Sequence, residues 1–119
     1  MLVVDDERAI RELVCELLST AGYRATGVGT ADAAVATLEK LTPQLVLTDL
    51  TMPGRSGVEL LEELGRRVPG VPVLLLSGAD GGGELRAALD RGAAGFVAKP
   101  FTGAQLLEAV RAALAGEGA

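Results

Sequence analysis

The sequence predicts an α/β domain: a doubly wound parallel sheet of five strands with helices on both faces. Three observations lead there. Short apolar runs alternate five times with segments of helical periodicity, the pattern that repeated βα units produce. The run Leu45-Val46-Leu47 is apolar throughout instead of alternating, which reads as a strand buried on both faces. Polar residues also hold matching places at the ends of four runs: Asp5-Asp6, Asp49, Ser77 and Lys99. In an open parallel sheet the strand C-termini share one edge, and ligands bind there.

Taken in order, Met1-Leu2-Val3-Val4 is the first strand. Ile10, Leu13, Val14, Leu17 and Leu18 then follow the i, i+3, i+4, i+7, i+8 rule of one helical face, and Gly22 ends that helix. Tyr23 to Val28 reads as a weaker second strand, interrupted by Gly27. Thr30 caps a second helix carrying Ala31, Ala34, Val35, Leu38 and Leu41, and Pro43 closes it. The third strand runs into Asp49, with a turn at Pro53-Gly54. Ser56-Gly57-Val58-Glu59 has the form of a capping box for a helix through Val58, Leu61 and Leu64.

Pro69-Gly70 is a turn, and Val71 to Leu76 is the fourth strand. Asp80 can cap the fourth helix, but each glycine of Gly81-Gly82-Gly83 costs about 1 kcal/mol relative to alanine where helical. The committed helix is therefore Glu84 to Arg91, packing Leu85, Ala88 and Leu89, with Gly92 ending it. Ala94 to Ala98 is the fifth strand. Thr102-Gly103-Ala104-Gln105 caps a last helix bearing Leu106, Leu107, Val110 and Leu114. One domain over residues 1–119 is expected, with residues 116–119 a disordered tail.

Composition excludes several functions. The net charge of -5 argues against direct nucleic-acid binding, which needs a basic surface. With no histidine, His-based catalysis and His metal sites are both removed. No apolar run is long enough to span a bilayer, and the acids at positions 5–7 follow too closely for a secretory leader. A single cysteine, Cys15, lies within helical apolar periodicity and reads as a small core residue. One cysteine forms no internal disulfide, so a cytoplasmic location is expected.

The polar residues at the sheet edge carry the chemistry. Unscreened, two carboxylates about 4 Å apart repel by roughly 4 kcal/mol at an effective dielectric of 20, so clustered acids need a cation. A carboxylate with a reference pKa near ~4 is ionised at neutral pH and needs no general base to act as a nucleophile. Taken singly, each residue has a plainer reading. Asp5-Asp6-Glu7 would favour the positive end of the first helix. Asp49 would serve a turn before Pro53, Ser77 would end a strand, and Lys99 would be a solvated loop lysine.

Asp5-Asp6, Asp49 with Met52-Pro53-Gly54, Ser77 and Lys99-Pro100, in this order and each after a strand, resemble the receiver domain of two-component response regulators. The likeness covers nearly the whole chain. It implies a flavodoxin-like fold with strand order 2-1-3-4-5, and Mg²⁺-dependent transfer of a phosphoryl group from a phosphohistidine to Asp49. The donor would be a histidine kinase or a histidine phosphotransfer protein of a phosphorelay. The resemblance implies Asp6, Asp49 and the Thr51 backbone carbonyl as Mg²⁺ ligands, with Asp5 acting through a water. Lys99 and Ser77 would assist at Asp49, and Ser77 with Phe96 would form a switch read on the face of the fourth helix, fifth strand and last helix. No other cofactor is implied. Phe96 is also expected to be partly core-facing.

The protein would then be a signalling phosphoacceptor that catalyses only its own phosphorylation and dephosphorylation, not an enzyme with turnover. An effector domain or a downstream protein would take the output, and the chain is expected to be either a stand-alone receiver or a piece of a larger regulator or hybrid kinase. The first strand is shorter than such domains usually carry.

Three alternatives fit less well. A haloacid-dehalogenase-type phosphatase expects D-x-D-x-T after its first strand, whereas Asp49-Leu50-Thr51 lacks the second acid and follows the third strand. A pseudo-receiver, serving only as a protein-binding module, typically loses an acid or the lysine, and none is lost here. A dinucleotide site would need G-x-G-x-x-G after the first strand, which is absent.

Overall fold

The apolar runs do form the sheet. In a computed structural model describing residues 1–52, 55–78 and 82–116, five strands pair in parallel: β1 (Leu2–Val4), β2 (Thr26–Val28), β3 (Val46–Asp49), β6 (Val73–Ser77) and β7 (Gly95–Ala98). Their order is β2-β1-β3-β6-β7, which is 2-1-3-4-5 counted within the sheet. Two short strands, β4 (Thr51–Met52) and β5 (Arg55–Ser56), pair antiparallel as a separate ribbon after Asp49. The sequence pattern did not signal this ribbon, because strands of two residues carry no periodicity.

Helices cover both faces. On one, α2 (Ala31–Leu38), α3 (Gly57–Arg67) and α4 (Gly82–Asp90) bury Leu2, Val4, Val46, Val73 and Leu75. On the other, α1 (Arg8–Thr20) and α5 (Gly103–Leu114) bury Val3, Leu45, Leu47, Leu74 and Leu76. Neighbouring strand residues thus go to opposite cores, which is why the central runs are apolar throughout. Each fully buried leucine contributes about 1.5–3 kcal/mol relative to exposure.

Helix boundaries follow local chemistry. Gly22 has φ 97° and its N–H donates to the Ser19 carbonyl, while the Tyr23 N–H donates to Leu18. Gly92 repeats the arrangement at φ 100°, donating to Leu89 as Ala93 donates to Ala88. Both are Schellman ends, which need the left-handed backbone that glycine adopts without strain. Thr30 accepts from the Ala33 N–H at 3.0 Å, and Thr102 with Gln105 forms a reciprocal capping box.

Several expectations need correction. The second strand starts at Thr26, not Tyr23, because Tyr23 completes the helix end. Gly27 is no defect there: a Cβ would stand 2.8 Å from Arg11 Cγ and 3.1 Å from Cys15 Sγ, so its absence lets α1 approach β2. Leu13 is 43 % exposed, because Val14 and Leu18 set the buried stripe and Leu13 lies about 100° around the helix from Val14. Leu41 is exposed too, since α2 stops at Leu38 and the chain turns before it.

In α3 the buried set is Leu60, Leu61 and Leu64, with Val58 packed at its margin. The fourth strand runs Val73–Ser77 and the fifth starts at Gly95. The fourth helix begins at Gly82 rather than Glu84, so Gly82 and Gly83 extend it toward its N-terminus, and Arg91 caps its end. Once a helix is nucleated, each further residue adds a hydrogen bond against its entropy, so packing of Leu85, Ala88 and Leu89 can carry two weak positions. Gly116 turns at φ 77° after α5. Pro53-Gly54, Asp80, Gly81, the Ser56 capping side chain and residues 117–119 lie outside what is described.

Among the described residues, no helix is long and apolar enough to cross a membrane. Cys15 is half-buried against the α1/α5 core, and burial pushes its thiol pKa up despite the pull of Arg11. A raised pKa makes a structural thiol, not a reactive one.

Candidate functional site

Parallel pairing sets the site. The register places Val4 beside Thr48, Asp49 beside Leu76, and Ser77 beside Ala98, so the residues that follow each strand emerge along one edge. Asp5 and Asp6 leave β1, Asp49 ends β3, Ser77 ends β6, and Lys99 follows β7. Carboxylate oxygens of Asp5, Asp6 and Asp49 lie within 4.8 Å of one another. Asp5 is wholly buried, Asp49 is 8 % exposed and Asp6 is exposed.

Asp5 is heavily bonded. Its Oδ1 accepts from the Glu7 N–H at 2.9 Å and its Oδ2 from Lys99 Nζ at 3.0 Å. The Lys99 ammonium also stands 3.6 Å from Asp49 Oδ1. Burial on its own pulls the Lys99 pKa down, but the hydrogen bond to Asp5 and the charges of Asp49, Asp5 and Glu7 outweigh it. The net pKa lies above the ordinary 10.5. Lys99 is therefore charged at neutral pH, and one cation serves two acids.

Ser77 is buried, and its hydroxyl donates to the Gly78 carbonyl at 3.1 Å. The Lys99 N–H donates to the Ser77 carbonyl at 2.6 Å, which extends the β6–β7 pairing to the lysine itself. The Lys99–Pro100 peptide bond is cis. Thr51 opens β4 two residues beyond Asp49. Phe96 is 47 % exposed on this edge strand, about half covered, while its neighbour Val97 packs into the core under α1 and α5.

Two residues near the site were not singled out from sequence. Thr48, wholly buried, donates its hydroxyl to the Asp49 carbonyl at 3.1 Å. Arg11 donates from Nη1 to the Asp5 carbonyl at 2.8 Å. The glycines at 27 and 29 were the available signal for Arg11, since both leave room for its side chain.

The donor set fits a hard divalent cation. Oxygen ligands dominate, two or more are carboxylates, and one rim is open to solvent, as Mg²⁺ requires. The profile of the response regulator receiver domain matches residues 1–111. The chain belongs to that family. The response regulator protein FleR of Pseudomonas aeruginosa is 36% identical over 110 residues, covering 92% of this chain and 23% of FleR. The sensory transduction protein RegX3 of Mycolicibacterium smegmatis is 33% identical over 114 residues, covering 96% of this chain and 50% of RegX3.

Among solved structures, the receiver domain of NtrX from Brucella abortus superposes with a TM-score of 0.92 at 36% identity. The match covers 96% of this chain and 97% of that one. This receiver domain spans half or less of the length of the curated relatives it matches.

Proposed function

We propose that this receiver domain accepts a phosphoryl group on Asp49 in a Mg²⁺-dependent reaction. The donor is the phosphohistidine of a histidine kinase or of a histidine phosphotransfer protein. The observation that carries this reading is the gathering of three carboxylates with Lys99 bridging two of them. An Asp49 carboxylate oxygen attacks phosphorus as the phosphorus–nitrogen bond to the imidazole breaks, and the electron pair leaves with the ring nitrogen.

An ordinary carboxylate is ionised at neutral pH, so this attack calls for no general base. Mg²⁺ would be held by Asp6, Asp49 and the Thr51 carbonyl, with Asp5 reached through a water, and it supplies charge for the phosphoryl oxygens. Lys99 supplies the second positive charge. Asp5 holds that ammonium at 3.0 Å and so keeps it beside Asp49. The Ser77 hydroxyl, which donates to the adjacent Gly78 carbonyl at 3.1 Å, would turn from it to donate to the new phosphoryl group.

The acyl phosphate so formed is open to water, which makes the switch self-resetting. The domain turns over nothing but its own phosphorylation. Movement of Ser77 would free space beside β7 for the Phe96 ring, changing the face made by α4, β7 and α5. A downstream effector segment or protein then reads that face. The acidic balance of -5 leaves any nucleic-acid contact to such an effector.

Intact-mass measurement after incubation with acetyl phosphate tests the core of this. A phosphoryl mass gain is expected with Mg²⁺, none with chelator, and none in Asp49→Asn. Uptake by Asp49→Asn at the wild-type rate would overturn the assignment.

A further inference from the structure

We propose that Arg11 is a positioning residue for the acid turn, holding the Asp5 carbonyl so that Asp5 and Asp6 stand ready beside Asp49 for a divalent cation. The inference rests on the Mg²⁺ reading above and adds a residue to it. Asp5 is wholly buried, and each of its polar groups has a partner. Its N–H donates to Val28 at 3.1 Å, which is ordinary strand pairing. Its two carboxylate oxygens accept from the Glu7 N–H and from Lys99. Its carbonyl accepts from Arg11 at 2.8 Å, a charge-assisted hydrogen bond.

The Asp5 carbonyl belongs to the peptide unit that joins Asp5 to Asp6. Fixing that oxygen fixes the plane from which the exposed Asp6 carboxylate projects. Asp6 is exposed, so packing does little to place it. The guanidinium is the part of the structure that sets its direction.

Local structure is built to allow this reach. Arg11 lies in the second turn of α1, and helical side chains tilt toward the helix N-terminus, which aims it back at residue 5. Its stem passes over β2 where a Cβ at Gly27 would stand 2.8 Å from Cγ. Its head passes Gly29, where a Cβ would stand 3.0 Å from Nη1. Two glycines thus clear a track for one side chain, and the track ends at the carbonyl of the metal-facing turn. A cation beside a divalent-ion site is otherwise unfavourable, since like charges repel.

That repulsion makes the test a matter of sign. Arg11→Met keeps the stem and removes both donor and charge. If Arg11 acts only as a nearby positive charge, removing it tightens Mg²⁺ binding. If Arg11 positions the turn, removing it weakens binding. The measurement is titration with Mg²⁺ alone, followed by amide NMR or calorimetry, on wild type and variant.

We expect a three- to tenfold weaker Mg²⁺ affinity in Arg11→Met. Phosphorylation by acetyl phosphate should fall at limiting Mg²⁺ and recover most of its rate at saturating Mg²⁺. Gly29→Ala, which crowds the guanidinium and leaves its charge, should weaken affinity in the same direction, and the double variant should be no weaker than Arg11→Met. Equal or tighter Mg²⁺ binding by Arg11→Met overturns the proposal; if that variant does not fold, the same result in Gly29→Ala does so. A wild type that binds no Mg²⁺ would instead remove the underlying metal reading.

Discussion

Edge strands β2 and β7 each stand two strands away from β3, which carries Asp49, yet they are secured differently. At β2, α1 lies so close that Gly27 has no room for a methyl group, and Arg11 crosses the strand to reach the Asp5 carbonyl. At β7, Phe96 is half-exposed, and with Leu89 and Leu114 it lines a groove of about 850 Å³. One edge is tied to the acid turn through the Arg11 side chain, whose guanidinium holds the Asp5 carbonyl at 2.8 Å. The other is tied to the site through Lys99 and Ser77, groups whose partners would change on the phosphorylation proposed for Asp49. A sheet edge can transmit a signal only where it is free to rearrange.

The largest effect is expected where the free edge is tied to the centre. Lys99→Met should cost about 3 kcal/mol at neutral pH, near the low end for breaking a buried ion pair, because it leaves the Asp5 carboxylate buried without its ammonium. The raised Lys99 pKa sets the pH window. Its stabilisation is complete below the ordinary 10.5 and drains away as pH rises through the higher folded value. The stability gap between wild type and variant, read by chemical denaturation, should therefore be level through neutrality and close only in strong alkali. A gap that closed near neutral pH would place the stabilising charge elsewhere.

Gly27→Ala probes the secured edge. One added methyl group must displace Arg11 or Cys15, an overpacking cost of about 1–3 kcal/mol. Equilibrium unfolding without loss of stability would mean that α1 can withdraw from β2, and the contrast between the edges would fail.

Ser77→Ala comes next. It should still accept phosphate, about five- to tenfold more slowly, the worth of one neutral hydrogen bond. Amide shifts of α4 and α5 should then respond little to a phosphate mimic. Shift changes matching those of wild type would break the link between Ser77 and the β7 edge.

The smallest stability effect is expected from Phe96→Ala, about 1 kcal/mol or less, since the ring is only half-buried. Removing a whole ring at β7 should thus disturb the fold less than adding one methyl group at β2. Thermal melts of the two variants side by side would sharpen or reverse that ranking.

Much of the architecture was legible in local signals. Caps at Thr30 and Thr102, helix ends at Gly22 and Gly92, and apolar runs through Leu47 and Leu75 each act within a few residues. Chirality and strand alternation then bring residues 5, 49, 77 and 99 to one edge, so the gathering of acids and lysine could be anticipated without coordinates. Misread positions lie where a neighbour distant in sequence decides. Leu13 fits the apolar period but faces outward, because the stripe is set by what packs on it. Phe96 stays half-exposed because β7 is an edge strand and the ring borders a groove with Leu89 and Leu114, which the strand pattern does not reveal.

Sequence alone thus determined the number of β/α units, their order and the residue types at the sheet edge, because periodicity, capping and glycine conformation are properties of short stretches. Only the tertiary structure decided that Lys99 sits closer to Asp5 than to Asp49 and that Arg11 fastens the turn from six residues away across two glycines. Such pairings depend on distances across elements that no local pattern encodes. Lys99 stands 3.0 Å from Asp5 and 3.6 Å from Asp49, and the packing of elements far apart in the chain sets both distances.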